Sequence, residues 1–403
     1  MNNAISAKEE NKFFCVLCKE EIPEKTKPEH VLLNALGGRM TVRKIICPDC
    51  NHSMGIGPDN DLADSVSFLR NACDLKAGDG DSAPHLQGYK TDEGDNLTLE
   101  PGMQPNMRAE KALDIEIDDE NIKVSIQAYS DEEADRLAEG AARKIAKHRG
   151  HSNEANVISA IKKEILKDKQ GSFRPSPQIS GQLQFGQGSS IQSMAKSCLI
   201  LWARINPIND MISDHYNLFR DYIKSSEEYE SVGTIVKIDT RSLPTIPTEY
   251  SENPNIIWVG NDSVGNTYGY FRIYGAIGWR FLISEKKIDT PKIACLISNP
   301  FDNRVWSLFR DAESPITYEW VTAEWELDSL EYSLVQEKIS KMMEYSIDVS
   351  QNKNLTRLVH DGLKKSGCEE GEIIERDHIK VLSSYVSRAL VAQMLKIEVP
   401  DDL

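Results

Sequence analysis

Two Cys-x-x-Cys pairs near the N-terminus constrain this chain more than any other feature. Cys15-x-x-Cys18 and Cys47-x-x-Cys50 bracket a segment that carries Glu29-His30 and Gly37-Gly38, and Asn51 follows the last cysteine. Four soft ligands in two tight pairs have the spacing of a closed, tetrahedral zinc site. The others of the eight cysteines, Cys73, Cys198, Cys295 and Cys368, are scattered along the chain. Disulfides are the alternative use of eight cysteines, and the tight pairing argues against them. The first residues hold no apolar segment that would serve as a secretory signal. The expected compartment is therefore a reducing cytoplasm, with zinc on the tetrad and the scattered thiols buried as small apolar residues.

The residues around the cysteines predict a compact local unit. Residues 13–18 read as a short strand entering a zinc knuckle, 19–28 as a loop, 29–33 as a strand, and 42–46 as its return. Gly37-Gly38 supplies the turn between them. Pro48 suits the first turn of a helix that carries Cys50 and Asn51 and ends near Gly55 or Gly57. A further helix is expected over residues 62–72. The result is a β-β-α unit closed by metal, too small to bury an adequate core alone, so that metal binding is part of its folding.

At 403 residues the chain is longer than one core usually serves. Residues 76–84, mostly Gly, Asp, Ser and Pro, read as a linker, and Pro175 and Pro177 lie in a second boundary. The expected organisation is an N-terminal domain over 1–75, a middle region over 76–175 with β-hairpins and two helices, and a C-terminal domain over 176–403. In the middle region, Leu113, Ile115 and Ile117 alternate with Asp114 and Glu116, and the pattern returns through Ile122, Val124 and Ile126. Ser130 and Glu133 form a capping box before an apolar helical stripe that ends at Gly150. Strands over 233–297 predict a mostly antiparallel sheet, and residues 326–345, 352–366 and 375–397 predict helices. All six tryptophans are expected in the core. The fold class is thus α+β: a zinc-stabilised ββα-metal unit, then a larger mixed α/β body with an antiparallel sheet and C-terminal helices. No apolar run is long enough to span a membrane.

The spacing resembles the HNH, or ββα-metal, endonuclease superfamily in its four-cysteine form, over about residues 13–62. The matching residues are Cys15, Cys18, Glu29-His30, Gly37-Gly38, Cys47, Cys50 and Asn51. The resemblance implies that His30 is a general base, that Glu29 and Asn51 hold a catalytic Mg²⁺ or Mn²⁺, and that the cysteines hold a structural Zn²⁺. The chemistry agrees with those residue types. Phosphodiester hydrolysis needs a base for the attacking water and a cation against the developing charge. Carboxylate and amide oxygens are hard ligands suited to such a cation, which keeps several of its waters. The chain departs from the usual pattern in four places. Glu29 stands where Asp is more usual, and no Asn lies between Gly38 and Cys47, where Thr41 or Arg43 stands in. Leu33 stands where a Pro often follows, and Asn51 stands at the last position rather than His. His52, Asp59 and Asp61 are reserve ligands.

The implied substrate is DNA, with Arg39, Arg43 and Lys44 as candidate phosphate contacts. The net charge of −16 opposes non-specific binding to nucleic acid, while residues 1–50 are close to neutral. That balance suits an enzyme held quiet until an activating ligand or protein, or assembly into a homo-oligomer, engages it. A cytoplasmic phage-defence or mobile-element nuclease is the setting that the resemblance implies. The competing function is a zinc-ribbon nucleic-acid-binding or regulatory protein whose nuclease site has decayed. A weaker expectation is a phosphate or nucleotide site at the Gly-rich turn 186–190, which precedes an apolar helix and lacks a P-loop lysine.

Overall fold

The computed structural model describes residues 12–91, 94–117, 122–151, 154–167, 170, 183–186, 188–225, 236–262, 265–286, 290–325, 329–369 and 371–395. Two compact units divide the chain between Leu327 and Asp328. The fold is α+β, with antiparallel sheets in the first unit and long helices in the second.

The first unit begins with the cysteine-bearing stretch. Strands β1 (Glu29–His30) and β2 (Thr41–Val42) pair antiparallel, Glu29 opposite Val42 and His30 opposite Thr41. Both are shorter than the sequence suggested, because a 3-10 turn over Asn34–Leu36 ends β1 early and closes on Gly37 at φ +83°. Helix α1 (Pro48–Ile56) starts with Pro at its first position, and the Cys47 sulfur accepts from the Cys50 amide as its cap. Gly57 breaks the chain, and Pro58 starts α2 (Pro58–Ser65); α3 (Ser67–Ala72) follows after Val66. The single helix expected near residues 62–72 is thus two.

Residues 76–84 read as a linker by composition, yet they are packed. Ala77 and Ala83 are buried. The Asn34 side chain grips this segment by accepting from the Asp79 amide at 3.1 Å and donating to its carboxylate at 2.9 Å. Gly78 lies so close that a Cβ there would stand 1.9 Å from the Gly38 carbonyl oxygen. Only glycine fits at that backbone crossing.

Beyond it, β3 (Leu86–Lys90), β4 (Asn96–Glu100) and β5 (Gln104–Arg108) form one antiparallel sheet, and β6 (Leu113–Ile117) and β7 (Ile122–Ile126) form a hairpin. The expected alternation therefore holds over β6 and β7. The capping box forms at α4 (Asp131–His148): Ser130 accepts from the Glu133 amide at 3.1 Å. Helix α5 (Ala155–Leu166) packs against α4. Part of the basic charge on this pair is matched internally, since Lys162 meets Asp135 at 2.7 Å and Arg143 meets Glu139 at 2.6 Å.

The centre of the unit is helix α6 (Ser190–Ile205) laid on a six-stranded antiparallel sheet. Its strands are β8 (Val236–Asp239), β9 (Asn255–Asn261), β10 (Thr267–Ile273), β11 (Ile277–Ser284), β12 (Lys292–Ser298) and β13 (Trp306–Arg310), in the order β13-β12-β9-β10-β11-β8. Every residue of β9 is buried, because α6 covers one face and the segment around Ile316 and Val321 covers the other. Short α7 (Ile208–Met211) leads to α8 (Asn217–Lys224), and α9 (Tyr318–Thr322) packs near β10. Trp202, Trp258 and Trp279 are fully buried; Trp306 is not, since it faces solvent on the edge strand β13.

The second unit is a helical hairpin of α10 (Ser329–Lys365) and α11 (Arg376–Leu395). The two helices expected over 326–366 are one, since no proline or glycine interrupts the residues between them. Among the described residues of both units, no helix is long and apolar enough to cross a membrane.

Candidate active site and zinc centre

The four paired cysteines converge. Their sulfurs all lie within 4.8 Å of one another, and Cys18 and Cys47 are 3.6 Å apart. A zinc ion with bonds of about 2.3 Å holds its sulfurs roughly 3.8 Å apart, so the tetrad fits structural zinc. The backbone builds the two knuckles. Lys19 and Lys44 adopt φ of +65° and +60°, and the Val16 amide reaches across to the Ile45 carbonyl at 2.9 Å. A hydrogen bond from Cys50 pushes the Cys15 thiol down to about 5. Burial lifts Cys18 to about 11, and the bond to Cys15 followed by burial raises Cys50 well above an ordinary thiol. Four thiolates drawn this close repel one another, so the full tetrad needs a cation. Buried Arg220 of α8 donates to the Val16 carbonyl at 2.7 Å, placing a positive charge beside this anionic group.

Strand β1 delivers Glu29 and His30 to different surroundings. Consecutive strand residues face opposite sides. Glu29 turns inward, where the Lys196 ammonium of α6 reaches its Oε1 at 2.7 Å. The same ammonium reaches Asp59 Oδ2 at 2.6 Å, and the Ser193 hydroxyl donates to Asp59 Oδ1 at 2.5 Å. Lys196 is buried, its side chain only 3% exposed. Burial disfavours its charge, but Asp59 and Glu29 outweigh that and lift its pKa above the ordinary lysine value. His30 is half-buried on the other side of the strand. It lies within electrostatic reach of Asp79, whose carboxyl is held below the usual range by the Asp81 amide and Asn34, with His30 adding to the effect.

Asn51 is half-buried in the first turn of α1, its amide bonded to the Cys47 carbonyl at 3.0 Å. Among the described residues, the cysteine tetrad is the only group of three or more His, Cys, Asp or Glu side chains drawn within ligand reach of one another. Glu29 lies in no such group, and a cation there would rely on water for most of its ligands, as Mg²⁺ does. The Glu29 carboxylate and the Asn51 side-chain carbonyl are hard oxygen donors of the kind such a cation takes. Asp59, a reserve ligand, is bound to α6. So is Asp61, whose carboxylate accepts from the Ser189 amide at 2.9 Å and its hydroxyl at 2.6 Å. Those bonds lower the Asp61 pKa. The Ser189 amide, one of those in the Gly-rich turn expected to take a phosphate, is thus already taken by an internal carboxylate. His52 is exposed.

Arg39 and Arg43 are exposed around the β1–β2 turn. Lys44 instead lies over the Phe13 ring at 4.1 Å. Beside Arg39 stands Asp302, whose carboxyl is held at about 2, first by Arg304 and last by Arg39. The motif-based reading missed Lys196, Ser193, Ser189, Asn34, Asp79 and Arg220. One signal was available for the first of these: a lysine in the middle of the apolar helix Met194-Ala-Lys-Ser-Cys-Leu199 needs buried anions.

This arrangement, a short hairpin and helix pinned by a zinc-fitting tetrad with a histidine on the hairpin strand, defines a metal-anchored ββα unit. Residues 15–66 match the family model of the HNH endonucleases, and the cysteine cluster matches the four-cysteine form of that family. A unit of this family is a nuclease-type hydrolase that engages nucleic acid. Comparisons of the chain with curated proteins and with solved structures give no match.

Proposed function

We propose that this protein is a metal-dependent DNA endonuclease whose nuclease stretch is seated on, and controlled through, the larger body. The observation that carries the reading is that the family match and the zinc-fitting tetrad coincide with a half-exposed His30 on a strand whose neighbour, Glu29, is held from behind. His30 takes the proton from the attacking water as general base. Glu29, through its second carboxylate oxygen, and Asn51 hold Mg²⁺ or Mn²⁺. That cation, when bound, supplies charge stabilisation at the phosphate and leaving oxygen. Exposed Arg39 and Arg43, with Lys44 beside them, contact the DNA backbone. The net charge of −16 supports low non-specific affinity, which an activating ligand, protein or second copy would raise. We place its action in the cytoplasm, against phage or mobile DNA.

Plasmid nicking by the zinc-loaded protein with added Mn²⁺, beside His30→Ala, tests this. The wild type is expected to nick, and the variant to lose at least ~100-fold in rate, the size of a general-base contribution, while keeping its zinc. An unchanged rate in His30→Ala would remove His30 as the base. The second reading, a zinc-ribbon nucleic-acid-binding protein with an idle site, is favoured by one observation: the ammonium of Lys196 already occupies Glu29. It predicts DNA binding without cleavage by either protein.

A further inference from the structure

Lys196 belongs to the body, outside the family-matched stretch 15–66, yet it touches the carboxylate beside the catalytic histidine. Its neighbours on α6, Met194, Ala195, Cys198 and Leu199, are all buried, so nothing but anions explains an ammonium there. Two anions share it. Asp59 takes it at 2.6 Å and is itself fixed by Ser193, and Glu29 takes it at 2.7 Å through one oxygen. One ammonium between two carboxylates leaves a net charge of −1, with the second Glu29 oxygen outside the pair.

We propose that Lys196 is an internal cation that competes with the divalent ion for Glu29 and so sets how tightly the nuclease site holds that ion. This rests on the reading of Glu29 as a cation ligand. Two positive charges on one carboxylate repel each other, and in a site with 3% exposure at the ammonium, water screens that repulsion poorly. Asp59 is the counterweight: by holding the ammonium it leaves Glu29 enough negative charge to bind. The nuclease stretch thus does not determine its own metal affinity; a residue of the body does. Lys196 acts through Glu29 and touches no reacting atom, so it is a tuning and positioning residue.

The test is a Mn²⁺ titration of the full, zinc-loaded chain, with free Mn²⁺ read by its paramagnetic resonance signal. Four proteins are compared: wild type, Glu29→Gln, Lys196→Gln and Asp59→Asn. Lys196→Gln keeps a donor and removes the charge. Zinc content and a tryptophan-fluorescence melt check that each variant is folded. Glu29→Gln is expected to lose the site. Lys196→Gln is expected to bind Mn²⁺ about tenfold tighter or more, as close charges in a poorly screened site allow. Asp59→Asn, which leaves the ammonium to Glu29 alone, is expected to bind more weakly. Shifts of opposite sign separate charge competition from loss of packing, which moves both variants the same way.

If Glu29→Gln loses the site but Lys196→Gln is unchanged or weaker, Lys196 is not a competitor, while Glu29 stands as ligand. If Glu29→Gln binds as the wild type does, Glu29 is no ligand and the role of Lys196 falls with it. If Lys196→Gln loses its zinc or its cooperative melt, Asp59→Asn decides, and unchanged or tighter binding there overturns the proposal.

Discussion

The nuclease stretch and the sheet that supports it are held together by different physics. Strands β1 and β2 are two residues each and α1 buries only Met54, so the buried apolar side chains of this region, Val16, Leu17, Val31, Leu32 and Ile46 among them, sit mostly outside regular strands and α-helices. Sulfur ligands and polar clamps tie these loops in place: Arg220 to Val16, Lys196 to Glu29 and Asp59, and Ser189 to Asp61. The sheet is the opposite case. Strand β9 is buried along its whole length, and Trp202, Trp258 and Trp279 are fully buried in this unit. The lesson is that one compact unit contains a half whose loops need ligands and clamps and a half built on a continuous sheet core, and each should fail under its own stress.

The largest expected effect is on the tetrad. Cys15→Ser, or chelation of the bound zinc, should unfold residues 13–57, because zinc sites of this kind contribute roughly 10–16 kcal/mol in isolated fingers. All six tryptophans lie beyond residue 200, so their fluorescence reports only the body. It should change little while zinc release is complete. A full loss of tryptophan signal together with the zinc would erase the distinction between the halves.

A smaller effect, of the reverse kind, is expected at Trp258. It is fully buried and its indole N–H donates to the Ile316 carbonyl at 2.9 Å. Trp258→Ala should cost about 3–5 kcal/mol, read as a lower midpoint in the tryptophan melt. Stability equal to wild type would show that the sheet is not the hydrophobic anchor.

The smallest effect concerns the clamp between the halves. Asp61→Ala leaves the Ser189 amide without its acceptor and should cost about 1–3 kcal/mol. Acid should act in the same direction. The carboxyls of Asp61 and Asp79 are held below the usual range, and that of Asp302 at about 2, so they titrate lower in the folded chain. Their contribution is present above the unfolded carboxylate pKa of about 3.9 and is lost as pH falls through the folded values. A denaturation midpoint that stays flat from pH 5 to pH 2 would contradict this.

What the sequence made legible was local. The Cys-x-x-Cys pairs, the Ser130–Glu133 cap and the β6–β7 alternation each declare themselves within a few residues, and each is found where expected. The clamps were not legible, because their partners are far apart in the chain. Lys196 and Glu29 are separated by 167 positions, and Ser189 and Asp61 by 128. No periodicity links such pairs. Composition also misled at residues 76–84, where glycine signals close backbone contact with Gly38 rather than flexibility. Likewise Asp59 and Asp61, read as spare metal ligands, belong to the seam with α6.

The crossing of Gly78 over Gly38 bears on how such a stretch travels through evolution. A region ending near residue 75 looks like a portable cassette, ready to be joined to any partner. Here the cassette is not portable. Its turn accepts only a glycine neighbour, its inner carboxylate needs a lysine from α6, and its first knuckle needs an arginine from α8. A recombination that moved residues 1–75 alone would leave Asn34, Glu29 and Val16 facing strangers. Moving this stretch without the body would therefore strip it of three of its contacts.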